Sequence, residues 1–126
     1  MTLAVLLVDH GSRRADAHEG LTWAGSRLEQ ILSSRGSVTR IVEIAHMELR
    51  GPSIFEGYQR CVERGASRVL LIPCFLSRGR HVSLDIPAQV AAAAAPFPNV
   101  PFQISPPLLE LDGFIEMLAA FVESSP

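Results

Sequence analysis

TLAVLLV, residues 2–8, is an almost continuous apolar run that ends at a charged residue, Asp9. A strand that is apolar at every position is covered on both faces, as strands are inside a parallel sheet. Parallel neighbours cannot be joined by a tight hairpin, so each needs a long crossover, usually a helix. The chain supplies such crossovers. Between about Ala15 and Arg35, the residues Leu21, Ala24, Leu28, Ile31 and Leu32 share one helical face, and Gly36 suits the stop. SVTRIVEIA (37–45) is rich in β-branched residues and predicts a second strand. Pro52 suits the first turn of a second helix, with Ile54, Tyr58, Cys61 and Val62 as its buried stripe and Gly65 at its end.

SRVLLIP (67–73) predicts strand three. A helix capped by Asp85 then runs through the alanines to Ala95, where PFP (96–98) breaks it. VPFQIS (100–105) predicts a fourth strand, at an edge because Pro101 has no N–H. Asp112 is set to cap a last helix over Gly113–Glu123. The expectation is an α/β, three-layer fold: a four-stranded parallel sheet in βαβαβαβα order with right-handed crossovers. No linker or repeat interrupts residues 1–126, which reads as a single domain.

Composition narrows the partners. A net charge of −2 gives no basic field for nucleic acid, and none is expected as a partner. No apolar run approaches the roughly 20 residues that span a bilayer, so no membrane is expected either. The N-terminus lacks a basic stretch leading into an apolar one. Cys61 and Cys74 lack paired-motif spacing, so a reducing cytoplasmic setting is expected. All eleven cationic residues are arginine, whose fork suits carboxylate and phosphate.

Open parallel sheets bind ligands beyond the carboxyl ends of their strands. His10 follows strand one, His46 and Glu48 follow strand two, and Cys74, Arg78, Arg80 and His81 follow strand three. His18, in helix one, and Glu43, within strand two, fall elsewhere. Two imidazoles and a carboxylate converging on one rim suit a divalent transition metal. Imidazole also accepts protons near neutral pH. A reaction that needs both is metal insertion into a macrocycle that must lose two N–H protons. Arg13, Arg14, Arg78 and Arg80 flank the histidines and can clamp an anionic ligand. Cys74 reads as a small buried neighbour, and Trp23 as a core or dimer contact.

VDHGSRR (8–14), AHMELRGPSI (45–54) and PCFLSRGRHVSLDIP (73–87) together resemble the small CbiX/SirB-type sirohydrochlorin chelatases, closest to the ferrochelatase branch. The likeness runs over residues 3–107. It implies a chelatase-like fold and ATP-independent insertion of Fe2+ or Co2+ into sirohydrochlorin, for sirohaem or cobalamin. It implies that His10 and His81 bind metal and assist pyrrole deprotonation, and that Glu48 is catalytic. Ser12, Arg13, Arg14, His46, Arg78 and Arg80 would contact the polycarboxylate substrate, with His46 as a neighbour where relatives often have phenylalanine. The metal is then substrate, and no tightly bound cofactor is expected. Long members hold two such lobes around one cleft, so a homodimer is expected. After Pro107 the chain reads LLELDGF in place of the family's Gly-Pro-His-type stretch. Two other readings compete: a metal or tetrapyrrole carrier on the same fold, and a phosphatase using His10 as nucleophile. Against the second, Asp9 stands where such enzymes have arginine.

Overall fold

The first apolar run becomes β1 (Leu3–Asp9), an interior strand of a parallel sheet ordered β2-β1-β3-β4. The other strands are β2 (Ile41–His46), β3 (Arg68–Pro73) and β4 (Phe102–Ile104). Between them run α1 (Ala15–Ser34), α2 (Ile54–Glu63) and α3 (Arg80–Ala94); a 3-10 turn (Leu108–Glu110) and α4 (Phe114–Ser124) close the chain. The structure, a computed structural model, describes residues 2–39, 41–77 and 79–126, and for residues 80–83 the backbone alone.

Both faces of β1 are buried, as its composition requires. Ala4, Leu6 and Val8 pack with Ile54, Tyr58 and Cys61 of α2 and Ile86 and Val90 of α3. Val5 and Leu7 pack on the opposite face with Leu21, Leu28 and Leu32 of α1. Hiding each such side chain is worth about 1.5–3 kcal/mol, so these two layers hold the lobe together. β4 is an edge, as Pro101 predicts, and β2 is the other. Side chains close the β2 edge: Val42 N–H donates to Glu29 Oε1 at 2.9 Å, and Arg64 bonds both Glu43 (2.7 Å) and Glu29 (2.9 Å). An edge occupied in this way is a poor template for stray strands.

Several boundaries differ from the sequence reading. β2 starts at Ile41, because Ser37 accepts from Thr39 N–H in a local turn (3.0 Å) that competes with strand pairing. It then runs one residue further, to His46. Pro52 lies outside α2, which is capped by Ser53 in a reciprocal capping box with Glu56. Ser-x-x-Glu is legible as a cap. α3 starts at Arg80, five residues before Asp85, which is therefore no cap, and it carries Pro87 inside it. Proline deletes an interior helix bond, which favours a start near Asp85; burial of Ile86, Val90 and Ala93 outweighs that. α4 is entered through Gly113 in the left-handed region (φ 88°), with no side-chain cap from Asp112. Trp23 is mostly exposed on α1 and forms no part of the core.

Candidate functional site

The β1 and β2 ends stay tied beyond the sheet. Met47 N–H donates to Asp9 O (2.9 Å) and Glu48 N–H to His10 O (3.0 Å), so His10 and Glu48 leave the sheet side by side. Gly11 makes this possible. Its φ is 101°, and a Cβ there would sit 1.9 Å from the Glu48 carbonyl oxygen. Leu49, just after Glu48, holds a φ of 70°, a conformation seldom adopted by a branched residue and often found at functional sites.

On that platform His10 Nε2 lies 2.9 Å from Glu48 Oε1, and His10 Nδ1 lies 3.4 Å from Gly11 O. About half of each side chain is open to solvent. An imidazole and a carboxylate from different strands thus face outward at the carboxyl rim. Among the described residues, no group of three His, Cys, Asp or Glu could hold a metal ion alone. The pair is a partial ligand set.

Behind the pair runs a second polar chain. Asp9 and His46 stand opposite one another in the β1–β2 register, and Asp9 Oδ1 meets His46 Nδ1 at 2.5 Å. His46 Nε2 meets His18 Nδ1 at 2.8 Å. Both nitrogens of an imidazole that is 1% exposed are therefore satisfied. Two expectations need correction. His46 ends β2 instead of following it, and its burial removes it from direct substrate contact. His18 does not fall elsewhere: the first turns of α1 bring it to His46. Its place one turn into a helix that starts at the rim was the available signal. Asp9, weighed in the sequence only as a repellent for phosphate, orients His46.

Ser12 Oγ accepts from Arg14 N–H (3.1 Å), which shapes the loop. Arg14 forms a two-point pair with Asp16, at 3.2 and 3.0 Å. Arg13 is exposed. Arg50, passed over in the sequence, reaches this loop and donates to Arg14 O at 3.2 Å. Arg78 and the side chains of Arg80 and His81 lie outside the described residues. The α3 backbone places Arg80 and His81 in its first turn and not in a loop. Burial, with the Asp9 carboxylate adding to it, pushes the Cys74 thiol up to about 11. It stays protonated at neutral pH and is a poor metal ligand; the residue is partly buried rather than fully so. Glu43 pairs with Arg64 at the β2 edge, away from the rim, as expected. A cavity of about 540 Å³ lies along that edge; its lining includes His18 but neither His10 nor Glu48. After Pro107 the chain returns to the rim: Leu108 and Leu109 N–H donate to the carbonyls of Phe75 and Leu76 at 2.9 and 3.1 Å.

A parallel α/β lobe with a histidine–carboxylate pair at its carboxyl rim falls in the chelatase-like class. SirB from Bacillus subtilis subspecies spizizenii, a sirohydrochlorin chelatase solved in complex with cobalt, superposes with a TM-score of 0.73 at 25% identity. The match covers 98% of this chain and 50% of SirB. The profile of the CbiX family matches residues 4–125, and the chain belongs to that family. The match extends past Pro107 through α4. The chain is 41% identical over 106 residues to the chloroplastic sirohydrochlorin ferrochelatase of Arabidopsis thaliana, covering 82% of this chain and 44% of that protein. It is 34% identical over 84 residues to the sirohydrochlorin cobaltochelatase of Methanocaldococcus jannaschii, covering 67% and 55%. It spans about half the length of these curated relatives.

Proposed function

We propose that this chain inserts Fe2+ or Co2+ into sirohydrochlorin without ATP, as one lobe of a two-lobed cleft that a homodimer completes. The observation that carries this reading is the 2.9 Å contact between His10 Nε2 and Glu48 Oε1 on an exposed rim of a CbiX-family lobe. A bond that short holds one proton between imidazole and carboxylate. A divalent ion approaching Nε2 displaces that proton to solvent and takes the lone pair. As the ion passes to the macrocycle, the freed imidazole and carboxylate are placed to accept the protons leaving the pyrrole nitrogens.

His81, in the first turn of α3, is proposed as the second imidazole ligand, which a two-residue set lacks. Arg13, Arg14, Arg78 and Arg80, with Ser12, are proposed to receive the substrate carboxylates, and Arg14 must first exchange Asp16 for them. His46 acts from behind, by fixing Asp9. The open rim supports a bulky, flat substrate and a second copy as the opposite wall. Metal is substrate here, and a cytoplasmic setting is proposed for a chain whose two cysteines are free thiols. Among the described residues, no helix is long and apolar enough to cross a membrane.

The test is anaerobic. Purified protein is mixed with sirohydrochlorin and Fe2+ or Co2+, and the absorbance change is timed against the uncatalysed rate. Acceleration that His10→Ala lowers about 100-fold or more supports the reading. Binding of the tetrapyrrole without acceleration makes the protein a carrier.

A further inference from the structure

Leu49 combines two features that cost a folded chain stability. Its φ of 70° is left-handed, and among the described residues it is the one non-glycine with a positive φ. Its side chain is 53% exposed and belongs to neither buried cluster. The turn explains the φ: just past the Glu48–His10 backbone bond the chain bends, and Arg50 reaches Arg14 O at 3.2 Å. The turn does not explain the leucine. Glycine and asparagine take a left-handed backbone more readily, and neither leaves a branched apolar side chain in water. A lone exposed leucine needs no account, but one held in a strained backbone beside a reactive pair does.

Leu49 has a counterpart across the site. β2 ends at His46 and β3 at Pro73, so Leu49 and Leu76 each stand three residues beyond a strand end. Leu76 is 60% exposed. The sheet order β2-β1-β3 puts His10, which follows β1, between the two. Strands lie about 4.8 Å apart, so the ends of β2 and β3 are about 10 Å apart, a span that one flat macrocycle covers. Leu109 joins the same rim, because its N–H donates to Leu76 O at 3.1 Å, and its side chain too is exposed. The rim is therefore zoned. Apolar side chains stand on both sides of the His10–Glu48 pair, and the exposed Arg13 lies in the loop after it. A ligand with a flat apolar face and anionic edges matches both zones.

We propose that Leu49, with Leu76 across from it, is the apolar seat for one face of the tetrapyrrole and sets the ring centre over His10 Nε2. This rests on the sirohydrochlorin reading above and names residues that fix where the substrate lies. The left-handed backbone holds the Leu49 side chain outward, on the residue next to Glu48, where water is displaced only when a ligand arrives. Burying an apolar side chain against the ring favours binding. Holding the ring in one place also favours the chemical step, because metal transfer and proton removal both need the pyrrole nitrogens within reach of the same imidazole. The stability given up at Leu49 is recovered on binding.

Titration of the full chain with metal-free sirohydrochlorin, followed by absorbance, reads binding apart from chelation. Leu49→Asn suits the left-handed backbone and removes the apolar contact. It is expected to weaken binding about 10-fold or more while the melting temperature holds or rises. Leu49→Met keeps an apolar side chain and is expected to bind within about 3-fold of the wild type. Leu76→Asn, free of the backbone constraint, is expected to act in the same direction as Leu49→Asn. Trp23→Ala removes an apolar side chain that is 68% exposed on α1, and is expected to change nothing. Leu49→Asn binding as tightly as the wild type overturns the proposal. So does a loss of binding matched by a fall in melting temperature, which makes Leu49 a structural residue. A changed sedimentation mass with binding intact also overturns it, and makes Leu49 a contact between copies. A wild type that does not take up the tetrapyrrole sinks the proposed activity as well; one that takes it up and chelates while ignoring Leu49→Asn leaves that activity standing.

Discussion

The two halves of this sheet are finished to different degrees. On the β1–β2 side both faces are covered, the outer edge is closed by Glu29 and Arg64, and the strand ends are tied by backbone bonds into the His10–Glu48 pair. On the β3–β4 side one face is covered by α2 and α3, the other opens as a groove at the amino ends of the strands, and α4 carries an apolar side that nothing in the chain buries. The finished half sets side chains to within a hydrogen bond of one another; the other half leaves apolar surface open.

Truncations in the two halves should separate most widely in stability. Leu6→Ala, beneath α2 and α3, is expected to cost about 2–5 kcal/mol in chemical denaturation, whereas Phe121→Ala in protein diluted to monomer should stay within about 0.5 kcal/mol. Equal costs would erase the contrast. Gly11→Ala attacks the tie between strand ends. Its methyl group must push Glu48 aside, and chelation is expected to fall about 100-fold, since a misplacement of about 1 Å costs that much. Normal turnover with an unchanged melting temperature would show that the pair needs no such tie.

His46→Ala leaves Asp9 without its partner at the back of the site. A loss of about 1–3 kcal/mol in stability is expected, larger than its effect on tetrapyrrole binding. The smallest effect is an alkaline one that compares the dryness of the layers. Burial pushes Cys61 under α2 up to about 12 and Cys74 up to about 11, from ordinary values near 9. From about pH 9 to 11 the unfolded chain gives up thiol protons that the folded chain keeps, so stability falls as pH rises. By pH 9.5 this is roughly 1 kcal/mol or less for Cys61. Thiol alkylation at rising pH should reach Cys74 first; modification of Cys61 ahead of it would contradict the packing.

The architecture was legible because burial on both faces leaves an uninterrupted apolar strand, and helix crossovers leave a 3.6-residue period. His10 and Glu48 were legible because strand ends in parallel sheets share one rim. Other assignments depended on contacts that no local pattern records. His18 looked remote because its partner is 28 positions away, and joins His46 only when α1 packs across β2. The start of α3 was misread because Pro87 argues locally against a helix that tertiary burial sustains.

The sequence by itself determined the layers, the strand order's raw material and the rim on which reactive groups would gather, since these follow from periodicity and chain direction. The tertiary structure alone decided that Asp9, His46 and His18 form one buried chain, that Gly11 must lack a side chain, and that α4 goes uncovered. Each of these depends on a distance between residues far apart in the chain, and such distances are set by packing rather than by local preference.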